Sequence, residues 1–410
     1  MEQEAAAVVN DSVRLYEAFE SFREPVLTRR RFRQEQILPL IERRRRDSGW
    51  EVTTAGYSFE GRPVQMLKTG KGRAKILLWS QMHGDEPTAT MALFDIFNFF
   101  DRDDPGFAAF KHRILSEVTL YFVPMLNPDG AERYQRQTAQ MIDMNRDALA
   151  LQTPEGRILK GLIEDLKPEF GFNLHDQNPR YTAGKSGKLA TISFLATSYD
   201  EALSVNDVRL RSMQLIAAMN EVLQQFIPGQ VGRFSDEHEP RAFGDNIQKW
   251  GTTLVLVESG GYAGDPEKQY VRRLNFVALL TGLAAIADRT YARKQIGDYE
   301  AIPQNERNAY DLIIRGVGIE MAGKTFFVDI GIDRVEKNGH GDDGFKVESS
   351  VEEMGDLRTK SGIEEYCGNG LWVDPASLPL ALGERADFLL MRDGKPHATV
   401  ENGVVIASRI

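Results

Sequence analysis

Cysteine is almost absent from this chain of 410 residues. Cys367 is the only one, which excludes an intrachain disulfide and any multi-cysteine zinc or iron–sulfur site and fits a reducing compartment. Positive charge is in deficit: the formal net charge is −10, so nothing global favours nucleic acid or an anionic membrane, and any preference for anionic substrates has to come from local arginines. Residues 1–10 lack a basic start and a long apolar core, and no later stretch reads as approaching the roughly 20 apolar residues that span a bilayer. These absences give the expectation of a cytoplasmic chain with no membrane and no nucleic-acid partner. No internal repeat stands out, which argues against repeat architectures.

Hydrophobic residues make up 42% of the chain, enough for more than one core at this length. Residues 11–48 read as two helical patterns broken near Pro25, with arginine clusters at 29–33 and 43–46. Glutamates 20, 35 and 42 are interleaved or nearby, so these arginines read as solvated helical faces. From about residue 50, apolar runs at 75–80, 118–125, 170–174, 191–196 and 253–258 alternate with helical patterns at 88–100, 154–166, 206–226 and 270–291. That alternation predicts an α/β fold, a central sheet with helices on both faces. Beyond residue 300 come strand-like runs such as 325–330, 386–391 and 398–406, with Gly and Asp turns and no long helical period. The expected organisation is an N-terminal helical segment (1–48), a catalytic domain (49–298) and a small all-β C-terminal domain (299–410).

Histidine is scarce, six in all, so one beside a strand end is informative. His83-Gly84-Asp85-Glu86 follows the apolar run 75–80, and a histidine and carboxylate three positions apart on such a loop can bind one metal ion from adjacent directions. His175 closes the run 170–174. With His83 and Glu86 it would make a two-histidine, one-glutamate set with a position left for water; alternatively it is a hydrogen-bonded histidine at a strand end. Asp176 could orient a ligand or start a turn. Glu258 ends the run 253–258 before Ser259-Gly260-Gly261, where it could serve as a base with a raised pKa or cap the glycine turn. Between these lie Asn127-Pro128-Asp129-Gly130, a tight turn, then Arg133, Arg136 and Asn145-Arg146, whose planar forks suit a carboxylate. His112, His238, His340 and His397 read as bystanders, with His238 the nearest to a substrate role, and Asp342-Asp343-Gly344 lacks the spacing of a calcium loop.

In this order, these elements resemble the zinc carboxypeptidase family, the carboxypeptidase A-like metallopeptidases, across roughly residues 50–295. The segments 126–147 and 240–246 resemble a bacterial branch of it. The resemblance implies a zinc carboxypeptidase-like fold and one Zn2+ ion held by His83, Glu86 and His175. It implies Glu258 as general base and then acid, and Arg136, with Arg133 second, polarising the scissile carbonyl. Asn145 and Arg146 would hold the terminal carboxylate of a peptide or small amide substrate. Two departures stand out. His175 is followed by Asp176-Gln177 where Ser-Tyr is more usual, and the mobile tyrosine of the digestive enzymes has only Tyr262 and Phe234 as candidates. The expected activity is that of a zinc metallopeptidase of carboxypeptidase type. Its competitors are an amidase or deacylase of small N-acyl amino-acid-like substrates and a non-catalytic binding protein on the same fold.

Overall fold

A computed structural model of the chain describes residues 2–46, 49–338 and 345–407; His340 and Asp342-Asp343-Gly344 lie outside the described residues. The chain divides into two compact units. The first comprises Met1–Asn178 and Ala190–Asn305, the second Pro179–Leu189 and Glu306–Ile410. The excursion 179–189, which leaves the first unit shortly after His175, has no signature in the sequence.

The strands up to residue 259 are β1 (Glu51–Tyr57), β2 (Pro63–Gly70), β3 (Ala74–Ser80), β4 (Val118–Val123), β5 (Phe170–Asp176), β6 (Tyr181–Ala183), β7 (Ile192–Leu195), β8 (Val231–Arg233) and β9 (Thr253–Ser259). All but β6 form one mixed sheet in the order β1-β2-β4-β3-β5-β9-β7-β8. The neighbours β4, β3, β5 and β9 run parallel, while β1, β2 and β7 enter antiparallel. The pair β1 and β2 went unforeseen: they carry Thr, Gly, Gln and Lys and lie towards the sheet edge, so their apolar pattern is diluted.

Both faces of the sheet are covered, and the pleat shows how. In β3, Ile76 and Leu78 join one core with residues of α1 (Glu2–Phe22), α2 (Gln34–Arg45), α3 (Thr88–Asp101), α4 (Ala108–Glu117), α7 (Asp207–Leu223) and α9 (Gln269–Ala287). The alternate residues Leu77 and Trp79 point the other way, into a second core with Leu159 and Ile163 of α6 (Pro154–Leu166) and Phe243 and Ile247 of α8 (Phe243–Lys249). Successive side chains of a strand face opposite ways, so a continuous apolar run demands two covers. Local chemistry sets the helix starts: Thr153 accepts from Gly156 N ahead of Pro154, and Asn206 accepts from Arg209 N.

Several expectations need correction. The helix α9 is, by length and composition, apolar enough to cross a membrane, contrary to the sequence reading; most of it is buried against α1, α3, α4 and α7, as a core helix would be. The arginines of α2 are not all solvated. Arg44 is fully buried, donating to Leu40 O (2.9 Å) and Asn98 Oδ1 (2.6 Å) and pairing with Asp101 at 2.8 Å. Asn127-Pro128-Asp129-Gly130 is more than a turn: Asn127 caps a short helix, α5 (Pro128–Arg133), by accepting from Gly130 N.

The short β10 (Asn305–Arg307) pairs with β6, and the remaining described strands of the second unit form one sheet. The long hairpin β11 (Ala309–Met321) and β12 (Lys324–Asn338) is flanked by β13 (Phe345–Gly355) on one side and β14 (Ser361–Cys367) and β15 (Trp372–Val373) on the other. The antiparallel run β16 (Phe388–Arg392), β17 (Lys395–Glu401) and β18 (Val404–Ala407) continues the sheet from β15. Leu312, Ile314, Ile330, Ile332, Phe388 and Val400 belong to its own core. Arg180 of the excursion pairs with Asp311 at 2.8 Å and Asp333 at 3.3 Å, which ties that loop into the unit.

Candidate metal centre

Ligands of open α/β sheets gather at the carboxyl ends of the parallel strands. Here β3, β5 and β9 deliver His83 and Glu86, His175, and Glu258 to one such edge, with His175 and Glu258 directly paired in register. The β3 loop approaches α5 so closely that a Cβ on Gly84 would lie 2.0 Å from the Gly130 carbonyl carbon. Only glycine fits there, which accounts for the second position of His83-Gly84-Asp85-Glu86.

His83, Glu86 and His175 are buried and offer ligand atoms all within 4.8 Å of one another. The two carboxylate oxygens of Glu86 face one Nδ1 each, at 2.9 Å from His83 and 2.7 Å from His175. The rear nitrogen of His83, Nε2, is 3.0 Å from Asp143 Oδ1. If Nε2 carries the proton donated to Asp143, Nδ1 presents its lone pair to the front, the arrangement that outer carboxylates impose on metal-binding histidines. Two imidazoles and one carboxylate are a catalytic zinc donor set, so these residues fit the ion that the sequence reading requires.

The charges of the cluster pull against one another. Burial alone would lower the pKa of His83, but the Glu86 and Asp143 carboxylates outweigh it and raise it to about 9. His175 is lowered by its burial despite Glu86. Burial acts to raise Glu86, yet the two histidines hold it well below the usual carboxylate range. Glu258 goes the other way: burial first and the charge of Glu86 second push it well above. Glu258 Oε2 and His175 Nε2 are buried with no hydrogen-bond partner among the described residues.

Arg136 reaches the same centre. Its Nη1 lies 3.2 Å from Glu86 Oε1 and 3.1 Å from His83 Nδ1, and its Nε donates to Asp143 Oδ2 at 3.1 Å. Arg133 is engaged elsewhere, with Glu60 and Asp129 O. Asn145 accepts from Phe243 N at 3.0 Å, and Arg146 pairs with Glu239 at 3.1 Å, which Arg241 also holds. Tyr262 lies against Tyr270, ring centroids 4.4 Å apart. Phe234 continues from β8 with its N–H donated to Phe194 O. His238 sits beside Ser198 and Asp245. Gln177, at the departure from Ser-Tyr, donates to Ala190 O and Ser193 Oγ and accepts from Asn305. Sequence reasoning gave Asp143 no role, although it stands two residues before Asn145. It accepts from Asn145 N at 2.9 Å and so joins the Asn145-Arg146 segment to the histidine.

Comparison with known proteins bears on the family and the fold. The zinc carboxypeptidase family model matches residues 42–179, a stretch that includes His83, Glu86 and His175 and ends before Glu258. Carboxypeptidase 2 of Trichophyton rubrum is 26% identical over 166 residues, 38% of this chain and 29% of that protein. Carboxypeptidase B of Astacus astacus is 37% identical over 82 residues, 19% of this chain and 26% of that protein. The chain thus spans under a third of the length of these curated relatives. The fold is that of solved metallo-carboxypeptidases from Burkholderia cenocepacia (TM-score 0.50, 16% identity, 63% of this chain and 70% of that one) and Pseudomonas aeruginosa (TM-score 0.50, 19% identity, 63% and 69%).

Proposed function

We propose that this chain is a zinc-dependent amide hydrolase that releases the C-terminal residue of a peptide. The observation that carries this reading is the buried Glu258 carboxyl, without a partner on Oε2, set in register beside a His83–Glu86–His175 cluster able to hold one ion. A bound zinc ion would supply Lewis-acid polarisation of the scissile carbonyl and a lowered pKa for attacking water.

The chain's own residues do the rest. Glu258, its pKa raised first by burial and then by the charge of Glu86, takes the water proton and returns it to the leaving amine. Arg136 stands where its guanidinium can share the charge that develops on the carbonyl oxygen, and Asp143 braces it from behind. The geometry favours Arg136 over Arg133, which Glu60 holds. Asn145, with its amide oxygen engaged by Phe243 N, keeps its NH2 for substrate, and Arg146 grips the terminal carboxylate. Arg146 already engages a carboxylate, that of Glu239, which the substrate has to share or displace.

The test compares a peptide bearing a free C-terminus with its amidated twin and with N-acyl amino acids, alongside zinc analysis of the purified protein. Stoichiometric zinc and cleavage confined to the free-carboxylate peptide are expected. Equal cleavage of the amidated peptide would remove Arg146 from the mechanism, and faster turnover of N-acyl amino acids would make the chain a deacylase.

A further inference from the structure

Asp176 is placed by more contacts than a turn residue needs. Its backbone N–H donates to Glu86 Oε2 at 3.2 Å, the oxygen that also faces His175 Nδ1. Its side-chain Oδ2 accepts from Thr88 Oγ1 at 2.5 Å and from Lys268 Nζ at 3.0 Å. Thr88 stands two residues past Glu86, at the start of α3. Lys268 is itself buried, its side chain 8% exposed, and a second bond from Nζ reaches Ser259 O at 2.9 Å. One ammonium group therefore ties together the ends of β5 and β9, the strands that carry His175 and Glu258.

The backbone of Lys268 is unusual as well. It adopts φ 50° and ψ 32°, a left-handed conformation at the N-cap of α9 with no side-chain cap bond. A buried lysine is also a costly way to close a strand end, because its charge must leave water. A neutral side chain would serve if packing were all that was needed.

We propose that Lys268 is a positioning residue for the metal centre: by fixing Asp176, it holds the N–H that orients the Glu86 carboxylate between the two histidines. The inference rests on the metal-binding reading given above. Outer partners of this kind typically change metal affinity by about 10- to 100-fold when removed.

The test uses the full chain with Lys268→Met and Asp176→Asn. Zinc affinity is measured by competition with a chromophoric chelator, and kcat and KM on a free-carboxylate peptide at saturating zinc. The expected result is a folded Lys268→Met protein with zinc affinity weakened by about 10- to 100-fold. Its kcat is lowered, while KM changes little because the carboxylate grip of Asn145 and Arg146 is untouched. A folded variant that binds zinc as the wild type does overturns the inference, whatever its melting temperature. Should Lys268→Met fail to fold, Asp176→Asn decides: it keeps the size and an acceptor but loosens the lysine, and wild-type zinc affinity there is equally fatal. A wild-type protein that binds no zinc would instead overturn the proposed function.

Discussion

Two of the buried charge clusters in the first unit differ in one respect. In the first, Asp95 of α3 meets Arg272 of α9, both fully buried. Arg272 uses every one of its N–H groups, on both Asp95 oxygens, Leu27 O, Gln269 Oε1 and Glu24 O. Asp95 also accepts from Glu24 N, so the N-terminal segment is bolted to the helices beneath it. In the second cluster, Glu86 is shared by two histidines and an arginine, and Glu258 and His175 each keep an atom with no partner. Shifted acidity does not tell them apart, because burial pushes Asp95 up to about 6 even beside Arg272 and pushes Glu258 well above its usual range. Completeness of hydrogen bonding does. The first cluster is fully paired, whereas the second leaves Glu258 Oε2 and His175 Nε2 open at the edge where the ligand atoms converge.

The largest effect that would sharpen this contrast is on turnover. Glu258→Gln keeps the size of the side chain and removes the base, so zinc content should be unchanged while kcat falls by about 10²- to 10⁴-fold. Full activity in that variant would mean the second cluster has been misread. Arg272→Met probes the other side of the comparison. Leaving Asp95 buried and unpaired should cost about 3–5 kcal/mol in chemical denaturation, with zinc affinity of the folded protein unaltered. A loss of zinc affinity with little loss of stability would reverse the roles assigned to the two clusters.

The smallest effect is a pH dependence confined to the metal-free protein. His83 is raised to about 9 by Glu86 and Asp143 after burial has opposed them, against 6.5 for the free side chain. A group raised on folding binds more protons in the native state, so its contribution is complete below about pH 6.5 and is lost as pH rises through about 9. Chelator-treated protein should therefore melt at progressively lower temperature across that window. With zinc bound, His83 is a neutral ligand and the slope should vanish. A slope of the same size in both forms would place its origin outside the centre.

What could be read in advance follows from the range of the forces involved. The runs that became β3, β4, β5, β7 and β9 were visible because a strand buried on both faces needs apolar residues at successive positions, and α6 was bounded by its own Thr153-Pro154 start. His83, Glu86, His175 and Glu258 were visible because each stands at or just past such a run. The buried state of Arg44 was not, since it depends on Asn98 and Asp101 more than fifty positions away. The apolar length of α9 was underestimated for a related reason. Its Arg272, Arg273 and Asn275 dilute the pattern, and only the packed structure shows where they go. The excursion 179–189 left no trace, because membership of the second unit is decided by the Arg180 partners Asp311 and Asp333, far along the chain.

The donor types of the candidate centre, the strand ends that carry them and their order along the chain follow from local composition and from the two-residue period of a strand. Folding sets Asp143 behind His83, Arg136 beside Glu86, and Lys268 across the ends of β5 and β9. Those pairings join residues far apart in the chain, and a hydrogen bond acts only over about 3 Å, so folding has to bring them together before they exist.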